Sequence, residues 1–181
     1  MSERGVCYYA LRTVELRTFF DRAVRASFQD LALQDDPAAS YLADLLTRFA
    51  RTENVYPVGL TVRRLETVVD MLLEIQGAWN DAGPAFGPER EVTVRRHIGD
   101  YTLFMLGVFR ERVEQIASTG YYVSQGKRAY HFVSEHARAR GEDHPYQRLA
   151  QRFEAFAAAL DYARRVHFLN GPHPFFRLQF E

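Results

Sequence analysis

Apolar residues recur at the three- to four-residue spacing of an amphipathic helix along most of the chain, and capping residues divide this pattern into segments. The loops between the segments are short, which is typical of antiparallel neighbouring helices. CYYAL, at 7–11, is too short to assign, and no longer stretch alternates like a strand. The sequence therefore predicts an all-α, single-domain bundle of about six helices. The predicted helices span about 12–32, 37–51, 61–80, 88–118, 121–140 and 145–169.

The helix ends and inward faces follow from the same pattern. Asp36 before Pro37 predicts an N-cap and a first-turn proline, and Gly141 is expected just beyond the fifth helix. The inward face is predicted to contain Leu16, Phe20, Ala23, Val24, Ser27 and Leu31 in the first helix, and Leu65, Val68, Val69, Leu72, Ile75 and Trp79 in the third. In the fifth it contains Tyr122, Gly126, Tyr130, Val133 and Ala137, and in the sixth Leu149, Phe153, Phe156, Leu160, Ala163 and His167.

The stretch YTLFMLGVF, at 101–109, is apolar in every direction around a helix. Such a helix is normally surrounded by others, so we expect the fourth helix to be the longest element and the centre of the bundle. Gly99 and Gly107 lie within it, and glycine costs a helix about 1 kcal/mol relative to alanine. Glycines at these positions predict the close approach of a neighbouring helix or a bend.

The composition is that of an ordinary globular domain, with 181 residues, of which 47% are hydrophobic and 25% are charged. The 23 basic and 23 acidic residues cancel, which disfavours non-specific nucleic-acid binding. Cys7 is the only cysteine, so one chain cannot form a disulfide framework. Neither a signal-peptide pattern nor an apolar run of membrane-spanning length is recognised. We therefore expect residues 1–181 to form one cytoplasmic domain that makes no membrane contact.

Motifs of known catalytic chemistry are missing from the sequence, including glycine-rich phosphate loops, nucleophile elbows and zinc-binding spacings. Glu66, Asp70 and Glu74 form an acidic row that is best interpreted as a solvated helix face. His131 and Glu135 lie one turn apart on the outward face of the fifth helix, which indicates an exposed ion pair rather than a metal site. The sequence thus predicts no cofactor and no metal.

His97 is the most unusual polar residue, because it falls between Val94, Tyr101 and Phe104 on the apolar side of the fourth helix, with Asp100 at the rim. One interpretation is a core histidine that is hydrogen-bonded to a tyrosine or a carboxylate. The other is a ligand pocket between the fourth and fifth helices. The residues that would line this pocket are His97, Asp100, Tyr101, Tyr122, Gln125, Lys127 and Tyr130.

The C-terminal segment PHPFFRLQFE, at 172–181, contains prolines that bar a helix and three phenylalanines that would be costly in water. We expect this extended aromatic tail, about 171–181, to dock on its own bundle or across a dimer interface. His167 lies just before it, where a positive side chain would interact favourably with the dipole at the helix C-terminus.

Three blocks of sequence together resemble a family of bacterial proteins of unknown function. They are RTENVY at 51–56, RRHIGDYTLFMLGVF at 95–109 and YYVSQGKRAYHFVSEH at 121–136. The resemblance spans most of the chain and implies a bacterial, cytoplasmic, all-helical protein. It carries no catalytic residue over to this chain, because no activity is attached to the family.

These observations favour a non-catalytic helical binding or assembly protein, acting on a protein partner or as a homo-oligomer such as a homodimer. The alternative is a sensor or enzyme that binds a small molecule between the fourth and fifth helices. A third hypothesis, nucleic-acid binding through Arg63, Arg64, Arg95 and Arg96, is disfavoured by the neutral net charge. The sequence identifies neither a ligand nor a partner.

Overall fold

The computed structural model of the chain describes residues 3–50, 54, 67–80, 87–141 and 145–168, with side chains from residue 15 onward except at 77–80. All regular secondary structure within these ranges is helical, which confirms the all-α prediction. The helices are α1 (Glu3–Asp30), α2 (Asp36–Phe49), α3 (Val68–Asn80), α4 (Pro88–Val108), α5 (Arg110–Ile116), α6 (Thr119–Ala139), α7 (Tyr146–Gln151) and α8 (Phe153–Ala163). A π-helical turn, Arg164–Phe168, extends α8.

The described part of the chain thus contains eight α-helices rather than the predicted six, because two predicted helices are broken. The backbone leaves the helical region at Phe109 (φ −123°, ψ 39°) and again at Arg152 (φ −113°, ψ 27°). Neither break is at a proline or a glycine, so the local signals used for prediction did not reveal them. The prediction that the fourth helix is the longest is wrong, since α4 has 21 residues and α1 has 28.

The start of α2 is shifted by one residue from its prediction. Asp35 is the N-cap, because its carboxylate accepts a hydrogen bond from the backbone N–H of Ala38 at 3.1 Å. Asp36 points into solvent and pairs with Arg25 at 2.8 Å. Pro37 lies in the first turn, as expected.

Helix α4 packs against α2, α3, α6 and α8, and every residue from 98 to 108 is buried. Two of its glycines make this packing close. A Cβ atom at Gly99 would lie 2.8 Å from the ring of Tyr130 in α6, and one at Gly107 would lie 2.5 Å from Leu160 in α8. The prediction that these glycines permit close approach is confirmed.

The inward faces predicted for α6, α7 and α8 are confirmed, with every member buried except His167, which is half-buried. The face predicted for α3 is wrong at Val69, which is 53% exposed, whereas Met71 is fully buried in its place. Leu31 is also exposed, because α1 ends at Asp30 and the chain turns away. Gly141 follows α6 with φ +70°, the left-handed conformation that glycine readily adopts.

Several predictions fall outside the described residues and stay predictions. They concern the aromatic tail, Leu65, Glu66 and the pair Arg63 and Arg64, together with the side chain of Trp79. Within the ranges that the structure describes, the helices are too short or too polar for any of them to span a membrane.

Candidate ligand-binding site

Asp100, in the middle of α4, is the centre of the most connected polar cluster of the described core. Only 1% of the surface of Asp100 is exposed. Its Oδ1 accepts hydrogen bonds from the hydroxyls of Tyr41 at 2.6 Å and Tyr130 at 2.8 Å. Its Oδ2 accepts from Nη2 of Arg48 at 3.0 Å. Three donors therefore stabilise one buried carboxylate, as a charge in the core requires.

The donors come from two helices that flank α4. Tyr41 and Arg48 are seven residues apart on α2, and this spacing places them on the same helix face. Tyr130 is on α6, where its ring packs directly against Gly99. The position of Asp100, one residue after Gly99, lets the Tyr130 hydroxyl reach the carboxylate.

Burial raises the pKa of both tyrosine hydroxyls well above the ordinary value of 10.0, and the negative charge of Asp100 raises it further. Both phenols therefore stay protonated and remain hydrogen-bond donors. Partial burial lowers the pKa of the Arg48 guanidinium, but the charge and hydrogen bond of Asp100, together with Tyr41 and Tyr130, raise it by more. The cluster thus pairs one buried carboxylate with one guanidinium and two protonated phenols.

Arg96 and Tyr146 extend this cluster toward the surface. The Tyr146 ring packs edge-on against Tyr41, with 5.7 Å between the centroids. Arg96 is desolvated in part, yet its hydrogen bond to the Tyr146 hydroxyl and the charges nearby raise its pKa. Its side chain is nevertheless exposed to solvent. The Arg96 guanidinium thus lines the cleft together with Tyr146 and is accessible from solvent.

Two cavities adjoin this cluster. A small cavity of about 100 Å³ lies between α2 and α4, and an open cleft of about 640 Å³ lies between α1, α2, α4 and α7. Arg48 and Arg96 line both of them. The remaining lining residues are Arg90, Thr93, Val94, His97 and Asp100 in the small cavity, and Arg17, Thr18, Tyr41, Asp44, Thr47 and Tyr146 in the cleft.

The burial of His97 and Asp100 is the reverse of what the sequence predicted. Asp100 is buried rather than at the rim, whereas His97 is half-buried and lines the small cavity. The imidazole packs against the rings of Phe49 and Tyr101, at centroid distances of 5.5 and 6.4 Å. The α2 helix covers the face of α4 that carries Asp100, and this neighbour was not visible in the sequence of α4.

The other predicted pocket residues are dispersed. Tyr101 and Tyr122 are buried and pack on each other, with 6.3 Å between their centroids. Lys127 pairs with Glu154 of α8 at 2.7 Å, and Gln125 is half-buried. Of the predicted set, Asp100 and Tyr130 are hydrogen-bonded to each other, and His97 lies beside them.

The contact between α4 and α6, where the pocket was predicted, is filled at two points. Tyr130 occupies the space beside Gly99, and Phe153 and Thr102 occupy the space beside Gly126. Both cavities next to Asp100 open instead toward α2. Cavity space therefore lies close to some of the predicted residues, on the face of α4 that meets α2, and the predicted ligand site stays a prediction.

Four residues of this site were not predicted from the sequence to contact a ligand. The apolar spacing of Tyr41, Leu42, Leu45 and Phe49 predicts only that Tyr41 faces the core, and Arg96 was considered only among the arginines for nucleic-acid binding. Arg48 and Tyr146 were not singled out. The spacing of Tyr41 and Arg48 on one face of α2 was the available signal, but nothing local indicated that Asp100 would face them.

The remaining candidates have structural roles. The hydroxyl and N–H of Thr67 bind the Asp70 carboxylate at 2.8 and 3.0 Å, as in a capping box. The Glu74 side chain is only 6% exposed and pairs with Arg90 at 2.9 Å, so the prediction of a solvated face is wrong there. His131 and Glu135 form the exposed pair that was predicted, with 3.6 Å between them.

Arg95, Arg96 and His167 are further basic residues that the sequence analysis named. Arg95 pairs with Glu91 at 2.6 Å and covers the ring of Phe132, while Arg96 turns to the cleft, so these neighbours do not form one basic surface. His167 lies 3.5 Å from Asp30 of α1. Across the described ranges, no three side chains of the metal-binding types come together.

The chain was compared with family models, curated proteins and solved structures, and none of them matches it. The function is therefore inferred from the geometry of the site itself.

Proposed function

We propose that the protein binds a small molecule in the cleft between α1, α2, α4 and α7. The observation that carries this proposal is the position of Arg48 and Arg96, which line both cavities. Asp100 accepts a hydrogen bond from Arg48 at 3.0 Å, and Tyr146 lines the cleft together with Arg96. Ligand sites typically combine such oriented polar groups with apolar walls, which here are the rings of Tyr41 and Tyr146.

The size of the cleft supports a small molecule as the ligand. Its volume of about 640 Å³ lies within the range of about 300–1,000 Å³ that is usual for such sites. Helix α4 acts as the framework in this proposal, because it carries both Asp100 and Arg96. The polar groups are oriented before the ligand arrives, which lowers the entropic cost of binding.

The cluster favours binding over proton transfer. A general base must lose its proton near the working pH, but the pKa values of Tyr41 and Tyr130 are raised well above 10.0. Both hydroxyls also donate to Asp100 rather than facing the cleft. We therefore assign the Asp100 cluster to positioning Arg48.

A thermal-shift and native mass-spectrometry screen of a metabolite library against the purified protein tests this proposal. We expect at least one compound to bind, and Thr47→Trp, which places a bulky ring in the cleft, to abolish its binding. Lys127→Ala is the matched control, because Lys127 lies in the predicted pocket but not in the cleft. If Lys127→Ala abolished binding and Thr47→Trp retained it, the ligand site would lie near Lys127 rather than in the cleft. If no compound bound, the proposed function would be wrong.

A further inference from the structure

We propose that the ligand carries an oxyanion, a carboxylate or a phosphate, which Arg96 and Arg48 bind where the small cavity adjoins the cleft. This inference rests on the proposed function and specifies the class of ligand. The aromatic walls of the cleft further favour a planar ring next to the oxyanion. An aryl phosphate or an aryl carboxylate combines these two features.

Of the three arginines that line the small cavity, two are paired with a carboxylate. Arg48 is paired with Asp100 at 3.0 Å, and Arg90 is paired with Glu74 at 2.9 Å. Arg96 lines both cavities and is exposed, and it forms no ion pair with a carboxylate in the described part of the chain. An exposed guanidinium that is not already paired with a carboxylate binds a carboxylate or phosphate readily, through paired N–H donors.

Asp100 lines the small cavity, but its charge is already satisfied. It accepts hydrogen bonds from two phenols and one guanidinium, and only 1% of it is exposed. Arg48 uses Nη2 for this contact within the described ranges, and its side chain is 43% exposed. Its other N–H groups can therefore serve a ligand without breaking the pair with Asp100.

The dimensions agree with a single oxyanion group. The small cavity has a volume of about 100 Å³, which admits a carboxylate or a phosphate group but not a whole metabolite. The rest of the ligand would lie in the adjoining cleft, against Tyr41 and Tyr146. Their rings already pack edge-to-face with each other, an arrangement that a third aromatic ring extends favourably.

Isothermal titration calorimetry with phenyl phosphate, benzoate, inorganic phosphate and phenol tests the inference. We expect phenyl phosphate or benzoate to bind and neutral phenol to bind far more weakly. Arg96→Gln should weaken that binding by about tenfold or more, since a charged hydrogen bond is lost. Arg96→Lys should restore part of it. Arg128→Gln, at an exposed arginine on α6, should leave it unchanged.

The outcomes separate this inference from the proposed function. If Thr47→Trp abolishes binding of a neutral compound while no oxyanion binds, the cleft is a ligand site but the oxyanion assignment is wrong. Equal binding of phenyl phosphate and benzoate to wild type and Arg96→Gln would also overturn the assignment. If none of these probes and no library compound binds, both proposals fail. Phenyl phosphate binding without benzoate binding assigns the oxyanion to phosphate, and the reverse assigns it to carboxylate.

Discussion

The ring of Tyr130 occupies the space that a side chain at Gly99 would need, since a Cβ atom there would lie 2.8 Å from Cδ1 and Cε1 of the ring. Tyr130 is fully buried, and its hydroxyl is bound to Asp100 at 2.8 Å. The glycine therefore sets how close α6 comes to α4. The same contact determines whether the tyrosine reaches the carboxylate.

Gly99→Ala should destabilise the protein by about 1–3 kcal/mol, because the buried ring has to move and the core is overpacked. Gly120→Ala is the matched control, at an exposed helical glycine whose nearest neighbour would be 3.5 Å from the new Cβ. It should be neutral or stabilise the protein by up to about 1 kcal/mol. Chemical denaturation measures both variants, and equal effects would contradict the role of Gly99.

Asp100→Asn should lower the free energy of unfolding by about 2–3 kcal/mol, since the charge that binds Arg48 is lost and the amide N–H₂ cannot accept hydrogen bonds. Asp44→Asn is the control, because it removes a carboxylate that also pairs with an arginine, Arg17, but is 56% exposed. We expect it to cost less than about 1 kcal/mol. Urea denaturation near neutral pH compares the two. A cost for Asp44→Asn as large as that for Asp100→Asn would mean that burial does not determine the effect.

Stability should fall as the pH rises above about 10, in part because of Tyr41 and Tyr130. Their pKa values are raised in the folded protein by burial and by Asp100, so the folded state holds protons that the unfolded state releases near 10.0. Their contribution is complete below pH 10 and is lost as the pH rises through the raised pKa values. The Tyr41→Phe, Tyr130→Phe double variant should show a shallower decline between pH 9 and 11. If the free energy of unfolding fell equally steeply with pH in the double variant and in the wild type, these tyrosines would not be the source of the pH dependence.

His97→Ala should cost only about 1 kcal/mol, because the imidazole is half-buried and lines a cavity that water can enter. Its neighbour Ile98 is 1% exposed, and Ile98→Ala should cost about 2–5 kcal/mol. Thermal and chemical unfolding of the two variants give the comparison. A loss for His97→Ala in the same range as Ile98→Ala would restore the interpretation of His97 as a core residue.

Periodic apolar spacing and capping residues were sufficient to predict the all-α class, the inward faces of α6 to α8 and the close approach at Gly99 and Gly107. These features depend on residues within one or two turns of each other, where helix geometry fixes the relation between sequence and position. The cytoplasmic location, the family resemblance and homodimer formation stay predictions.

The helix breaks at Phe109 and Arg152 and the cluster around Asp100 were decided by the tertiary structure alone. Tyr41 and Arg48 lie 59 and 52 residues before Asp100 in the sequence, and Tyr130 lies 30 residues after it. A hydrogen bond across such separations forms only when the helices pack, and no local pattern encodes which face of α4 will meet α2. The sequence by itself therefore determined the all-α class and the inward faces of α6 to α8. Packing decided that the carboxylate is buried, that the histidine lines a cavity and that two arginines face a cleft.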